Sequence, residues 1–248
     1  MKKMKKIAGA TFDLWDTLIQ EYPGGSVIVA KARVDGILRV LEKCGIAHSE
    51  RDVALAYAKS GDFLEMTWSK KRDMPVKDHL LFLLSCIDDK LIGRLCPKDL
   101  TDIESAYSDA LLQMPPRLLP GAKEALKSVK SQGHKIGLIS NTGRTPGTTL
   151  RAAMENLGIL HFFDAMTFSN EILVRKPAET AFRTTLEKMK VHPRACVHVG
   201  DDPDKDVRGA KEIGMRTIQV VPRGSRKCGS ADSHVRSMHE VAEAIGKL

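Results

Sequence analysis

Hydrophobic and polar positions follow two different rhythms along this chain. Short apolar runs at 7–10, 135–139, 165–168, 195–199 and 216–221 are too brief for helices, and turn-forming residues such as Gln132-Gly133 and Gly214 break the chain between them. Between them lie longer segments, 122–131, 148–157, 178–190 and 205–213, in which apolar residues return at helical spacing. Near-continuous apolar strands alternating with helices predict a parallel sheet covered on both faces, a doubly wound α/β (Rossmann-like) architecture. Residues 237–247 read as a closing amphipathic helix, and no internal repeat or low-complexity tract interrupts the pattern.

The second rhythm occupies 26–113. The strand alternation stops there, and the spacing predicts helices over 27–44, 49–71, 76–95 and 100–113, with Val34, Ile37, Leu38 and Leu41 on one face of the first. Ser49 with Asp52, and Thr101 with Glu104, have the spacing of helix N-terminal caps. Pro115, Pro116 and Pro120 form a stiff connector, so a hinge or boundary is expected over 114–121. The expected organisation is a Rossmann-like domain made of 1–19 and 117–248, with a helical-bundle domain, 20–116, inserted into it.

At 248 residues and 42% hydrophobic content, the chain can bury a sizeable core. No apolar run approaches a membrane span, and the basic start Met1-Lys-Lys-Met-Lys-Lys-Ile leads into no signal-peptide core, so a cytoplasmic location without membrane association is expected. The five cysteines are scattered, with no CxxC pair to suggest zinc or redox chemistry. The net charge of +8 raises the question of nucleic acid, but the basic residues are dispersed apart from small knots at 2–6, 70–72 and 223–227, without interleaved aromatics. A solvated basic surface that favours small anionic substrates is the preferred reading. Oligomeric state is not legible.

Carboxylates and polar groups recur at the predicted strand ends, where ligands of open α/β sheets bind. Asp13 ends the first strand, and its carboxylate is the candidate nucleophile; the bland alternative is a turn cap. Ser140 and Asn141 end the 135–139 strand and are candidate phosphate-binding groups, although such pairs also serve as turn formers. Lys176, before Pro177, offers a point charge for a phosphate oxygen. Asp201, Asp202, Asp204 and Asp206 crowd one turn after Gly200, a concentration of charge that needs a counter-ion and suits Mg²⁺; Asp202 and Asp204 are equally explained as helix caps.

In this order, Thr11-Phe-Asp-Leu-Trp-Asp-Thr-Leu18, Ile136-Gly-Leu-Ile-Ser-Asn-Thr-Gly143, Arg175-Lys-Pro177 and Val197-His-Val-Gly-Asp-Asp-Pro-Asp-Lys-Asp206 resemble the four motifs of the haloacid dehalogenase-like (HAD) hydrolases. The resemblance covers nearly the whole chain. It implies a phosphatase working through an aspartyl-phosphate at Asp13 on a small phosphorylated metabolite, with Lys176 as the third motif and the helical insertion as a cap over the site. It further implies Mg²⁺ bound by Asp13, Asp201 and the Trp15 carbonyl, with Asp206 in support. One position departs from the pattern: Trp15 stands where phosphatases of the family carry a second Asp, and indole N–H is neither acid nor base. Asp16 is a candidate substitute. Family dehalogenases share an aromatic residue here and need no metal, but they carry Ser-Ser-Asn where this chain has Gly200-Asp-Asp202. Two alternatives therefore stay open, a metal-independent dehalogenase-like hydrolase and a catalytically weak phosphate- or partner-binding protein.

Overall fold

The computed structural model describes residues 6–222 and 224–248, so most of the basic knot at 2–6, and Arg223 of the knot at 223–227, lie outside the described residues. Strand β1 (Gly9–Phe12) is buried throughout, as a central strand covered on both faces must be, and its one polar side chain, Thr11, is satisfied by His198 at 2.9 Å. It is followed by β2 (Ile19–Gln20), then α1 (Gly25–Lys43), α2 (Glu50–Ser69), α3 (Val76–Ile87), α4 (Pro97–Ser108) and α5 (Ala110–Gln113). The chain returns through β3 (Arg117–Leu118), α6 (Ala122–Ser131), β4 (Lys135–Ser140), α7 (Gly147–Asn156), β5 (Ala165–Phe168), α8 (Ser169–Ile172) and α9 (Glu179–Met189). It closes with β6 (Cys196–Gly200), α10 (Gly209–Glu212), β7 (Arg216–Val220), β8 (Ser233–Val235) and α11 (Val241–Gly246).

Six parallel strands lie in the order β5-β4-β1-β6-β7-β8. β1 therefore sits between β4 and β6, and the sheet is wound outward in both directions from it. This is the switch point at which loops diverge and leave a crevice. One face carries Phe12, Leu138 and Val199 against α6, α7 and α11. The other packs Ile139 and Cys196 against Phe182, Leu186 and Met189 of α9 and Ala210 of α10. Gly137 has to be glycine for this packing, because a Cβ there would lie 2.5 Å from Met189 Sδ and 2.7 Å from Thr185 Cγ2.

The segment between β2 and β3 leaves and returns side by side, since those strands pair antiparallel through Ile19 with Leu118 and Gln20 with Arg117. Its helices have a separate apolar cluster centred on Ile37, Leu41, Leu83, Leu84, Ile103 and Tyr107. Within it α2 packs on α3 and α1 on α4.

Several expected boundaries shift. The helix expected over 76–95 stops at Ile87, because Asp88 is extended and turns its carboxylate onto the Lys90 N–H at 2.9 Å; only a short 3₁₀ turn, Ile92–Arg94, follows. The helix expected over 100–113 begins at Pro97 and is interrupted at Asp109. Its cap is Cys96 with Asp99, whose carboxylate accepts from the Cys96 N–H at 2.8 Å; Thr101 is already inside the helix, bonding the Pro97 carbonyl. The Ser49 cap forms as expected, accepting from the Asp52 N–H at 3.1 Å. Short β2, β3, β8 and α8 carry too few residues to show a period.

Candidate active site

The loops after β1, β4 and β6, together with the segment before α9, enclose a cavity of about 210 Å³. Asp13, Asp201 and Asp206 line it with Lys176, and Trp15, Asp16, Asn141 and Arg175 form more of its wall. Residues distant in sequence meet because β1 is flanked by β4 and β6, whose C-terminal ends open on the same side.

Lys176 is the centre of the charge arrangement. Its Nζ donates to Asp13 Oδ1 at 2.6 Å and to Asp206 Oδ1 at 2.7 Å, and its side chain is only 2% exposed. Asn141 fixes the lysine through the backbone, accepting from the Lys176 N–H at 2.8 Å and donating to its carbonyl at 3.0 Å. Asp206 is held on both sides: Oδ1 also meets His198 Nε2 at 3.2 Å, and Oδ2 accepts from the Asp202 N–H at 3.0 Å. Thr11 holds the other nitrogen of His198 at 2.9 Å. Asp201 receives Thr17 Oγ1 at 3.3 Å.

A departure from the helix expected over 205–213 explains how Asp206 reaches inward. Over Pro203–Arg208 the backbone winds as a wider π-type turn, with the Val207 N–H reaching the Asp202 carbonyl at 3.2 Å, and regular α-helix begins only at Gly209. Such widened turns recur at functional sites because they re-aim side chains. Gly200 leaves the space that Asp206 fills, since a Cβ there would lie 2.3 Å from Asp206 Cγ. Asp202 caps this turn by accepting from the Asp204 and Lys205 N–H groups, both at 2.8 Å, and Asp204 pairs outward with Arg208. The capping explanation therefore holds for Asp202, while Asp204 is a surface ion-pair residue.

Asp13 and Asp206 share the Lys176 ammonium, and Asp201 faces the same cavity with no ion pair among the described residues. Burial, aided by Asp206 and Asp201 and opposed by Lys176, pushes Asp13 up to about 7. Burial, Asp206 and Asp16 push Asp201 up to about 6. Burial also works against the charged form of Asp206, but Lys176 and His198 outweigh it and hold that group well below the usual carboxylate range. Burial works against the charge of Lys176 too, and Asp13 and Asp206 more than offset it. Ligand oxygens of Asp13, Asp201 and Asp206 lie within 4.8 Å of one another. A cluster of hard oxygen donors that is short of positive charge fits a divalent cation such as Mg²⁺.

Ser140 ends β4 as expected and is buried, yet its hydroxyl has no hydrogen-bond partner among the described residues and does not line the cavity surface. Trp15 is half-buried, and Asp16 beside it is exposed with φ 56°, a left-handed conformation that favours glycine. Asp16 therefore occupies a place where the backbone turns, with its carboxylate near enough to Asp201 to raise that group.

The site also contains residues to which the motif reading gave no role. Arg175 donates to Asp73 Oδ2 at 2.7 Å, bonds the Thr142 carbonyl, and lies 4.3 Å over the Trp68 ring. Trp15, Asn141 and Arg175 also line a second, larger cavity of about 430 Å³ that continues toward α1 and α2. His198 and Thr17 were readable only as strand or turn residues, and Trp68, in α2, and Asp73, in the joint between α2 and α3, carry no local signature. Only the juxtaposition of distant segments identifies them.

A family model described as haloacid dehalogenase-like hydrolase matches residues 7–214. A glyceraldehyde 3-phosphate phosphatase of Methanocaldococcus jannaschii is 29% identical over 164 residues, 64% of this chain and 69% of the relative. Haloacid dehalogenase-like hydrolase domain-containing protein 3 of Mus musculus is 27% identical over 229 residues, 89% of this chain and 84% of the relative. Among solved structures, a 2-haloacid dehalogenase from Pseudomonas syringae superposes with a TM-score of 0.72 at 22% identity, covering 97% of this chain and 99% of its own; that likeness concerns the fold.

Proposed function

The chain belongs to the haloacid dehalogenase-like hydrolase family, and from that premise we propose that it is a magnesium-dependent phosphatase that acts on a small phosphorylated metabolite through an aspartyl-phosphate. The observation that carries this reading is the shared lysine: Lys176 holds Asp13 and Asp206 in one cavity while Asp201 faces the same space. The phosphatase name of the Methanocaldococcus jannaschii relative supports it. In the same reading, 20–116 is a cap inserted into a core made of 1–19 and 117–248.

An Asp13 carboxylate oxygen attacks phosphorus in line with the ester oxygen. The O–P bond forms as the P–O ester bond breaks, and the electron pair leaves on the alcohol oxygen. Lys176 keeps Asp13 oriented and neutralises charge that builds on the phosphoryl oxygens. Water then attacks phosphorus, releasing inorganic phosphate and restoring Asp13. Asp13, Asp201 and the Trp15 carbonyl would hold Mg²⁺, which when bound supplies charge neutralisation at the phosphoryl group. Asp206, with both oxygens already engaged, sets the position of Lys176 and of the turn that carries Asp201. Ser140 and Asn141 are the groups proposed to meet the substrate phosphate; Asn141 already lines the cavity, while the unpartnered Ser140 hydroxyl behind it must turn toward the ligand. Asn141 acts partly through its two bonds to the Lys176 backbone.

The acidic cluster favours phosphoryl transfer over metal-free attack on carbon, because a halide-displacing site has no use for carboxylates that lack counter-charge. Turnover of p-nitrophenyl phosphate with added Mg²⁺, with excess chelator, and in Asp13→Asn tests the proposal. Activity is expected to require Mg²⁺ and to fall by about 10³-fold or more in the variant. Chelator-resistant halide release from a 2-haloacid, with no phosphate release, would replace this reading with the dehalogenase one. Phosphate binding without turnover of either substrate would favour the catalytically weak alternative.

A further inference from the structure

The second cavity differs from the first in the sign of its charge. Arg33 from α1 and Arg144 from the loop after β4 both line it. Arg33 is only 6% exposed, and its guanidinium donates to the Thr145 hydroxyl at 2.6 Å, the Tyr57 hydroxyl at 3.3 Å and the Tyr107 carbonyl at 3.3 Å. Arg144 donates to the Ser60 and Tyr107 hydroxyls, both at 3.0 Å, and to the Tyr57 carbonyl at 2.8 Å, while lying 3.8 Å over the Tyr57 ring. Every one of these acceptors is neutral. The two cations converge on Tyr107, and neither forms an ion pair with a carboxylate among the described residues. Among the described residues that line the cavity, Glu21 is the one acid, and it is exposed.

Bringing two guanidinium groups together inside a fold without counter-charge costs free energy, and a structural latch does not require it. The neighbouring Arg175 shows the ordinary solution, for it has its own buried carboxylate in Asp73. Space has also been made for Arg144: its Nη2 would lie only 2.5 Å from a Cβ at position 61, where the chain has Gly61 in the middle of α2. A cavity of about 430 Å³ is large enough for the body of a small metabolite, and it joins the first cavity along Trp15, Asn141 and Arg175.

We propose that the second cavity binds an anionic substituent of the substrate, a carboxylate or a second phosphate, remote from the phosphoryl group that reacts at Asp13. The inference rests on the reading of the first cavity as the phosphoryl site and narrows the substrate class from phosphate monoesters in general to those with a second negative end. Guanidinium groups suit both kinds of anion because their planar donor pairs match two oxygens at once.

Two matched pairs of probes, assayed with Mg²⁺, test it: 3-phosphoglycerate against glycerol 3-phosphate, and fructose 1,6-bisphosphate against fructose 6-phosphate. In each pair the first member adds an anion with little other change. The wild-type enzyme is expected to favour the anionic member of at least one pair in kcat/KM by roughly ten- to a hundredfold, the range of charge-assisted hydrogen bonds to a buried cation. The favoured pair tells whether a carboxylate or a second phosphate is the ligand. Arg33→Met or Arg144→Met should collapse that ratio, and Arg33→Lys should recover part of it. Equal kcat/KM within both pairs in the wild-type protein, which needs no variant to fold, overturns the inference while leaving the phosphatase reading intact. If none of the four is hydrolysed, the phosphatase reading stays with its own aryl-phosphate assay, and calorimetric titration of the Asp13→Asn protein with the same probes decides the inference. Tighter binding of an anionic member supports it, and equal binding across both pairs overturns it.

Discussion

The two cavities that meet at Trp15 are built on opposite electrostatic plans. On the sheet side, Asp13, Asp201 and Asp206 cluster where Lys176 pairs with Asp13 and Asp206, and Asp13 and Asp201 are pushed up to about 7 and about 6. On the helical side, Arg33 and Arg144 sit among hydroxyls, carbonyls and aromatic faces, and among the described residues no acid is paired to them. One space is short of cations and the other of anions. A phosphorylated molecule with a second negative end, arriving with a divalent cation, answers both deficits at once. The comparison teaches that the net charge of +8 is a poor guide to such a protein, because the useful charge is segregated in sign over neighbouring cavities.

The largest effect is expected at the boundary between them. Trp15 supplies no acid or base, so an aspartyl-phosphate formed from an activated aryl phosphate should accumulate, and rapid mixing should show a burst before slow turnover. Trp15→Asp should shorten the lifetime of that species by about 10²-fold, a typical worth of a positioned acid/base, and quench-flow on the two proteins measures it. Fast turnover without a burst in the wild type, abolished by Asp16→Ala, would instead give the proton-transfer role to Asp16, which already lines the cavity.

A second pair of substitutions separates the regions by stability. Gly200→Ala drives a Cβ to 2.3 Å from Asp206 Cγ in a buried carboxylate that is fixed on both oxygens, and a loss of about 1–3 kcal/mol or more is expected together with activity. Gly61→Ala meets only the far end of Arg144 and gains helix propensity, so unfolding in urea should show a change within about 1 kcal/mol of zero. Equal losses in the two variants would show that Arg144 is as rigidly required by the fold as Asp206.

Acid should affect the regions in opposite directions. Burial and the nearby Arg144 push His79 down to about 3. The unfolded chain then binds a proton that the native state refuses, so this contribution to stability is present above the ordinary histidine range and is lost as pH falls from about 6.5 toward 3. Between pH 7 and pH 5 the loss is about 2 kcal/mol. Asp13 and Asp201, being raised, have the reverse sign: their charged forms strain the native state at neutral pH, and protonation relieves it. Thermal unfolding of wild type and His79→Gln without added metal, compared across this range, isolates the histidine term; parallel curves would remove it.

Much of the sheet side was legible because its chemistry is written at strand ends. Asp13, Asn141, Lys176 and Asp201 each stand next to an apolar run or a proline, and the sheet order then brings them together. The inward reach of Asp206 was not legible as geometry, since a π-type turn arises from the capping by Asp202 and the room at Gly200, neither of which has a period. On the helical side, position alone was readable. Arg33 occupies a helix whose spacing marks it only as one more residue near an apolar face, and Arg144 follows a strand-end motif that draws attention to its neighbours. Their meeting depends on α1, α2 and the loop after β4 folding against one another, which no local pattern records. Helix ends at Ile87 and Asp109 were missed for a related reason: a single extended aspartate or a slight break outweighs an apolar rhythm that runs on past it.

One contact between the regions has a mechanical side. The Asp73 N–H bonds the Leu173 carbonyl and the Arg175 N–H bonds the Lys71 carbonyl, both at 3.0 Å, so 71–73 and 173–175 run as a short antiparallel splint. Lys71 and Leu173 both take left-handed backbone angles, φ 56° and 60°, where the two segments bend into it. The next residue after the splint is Lys176. A displacement of the helix-to-helix joint at 71–73 therefore reaches the ammonium between Asp13 and Asp206 through a single peptide unit, a lever arm one residue long.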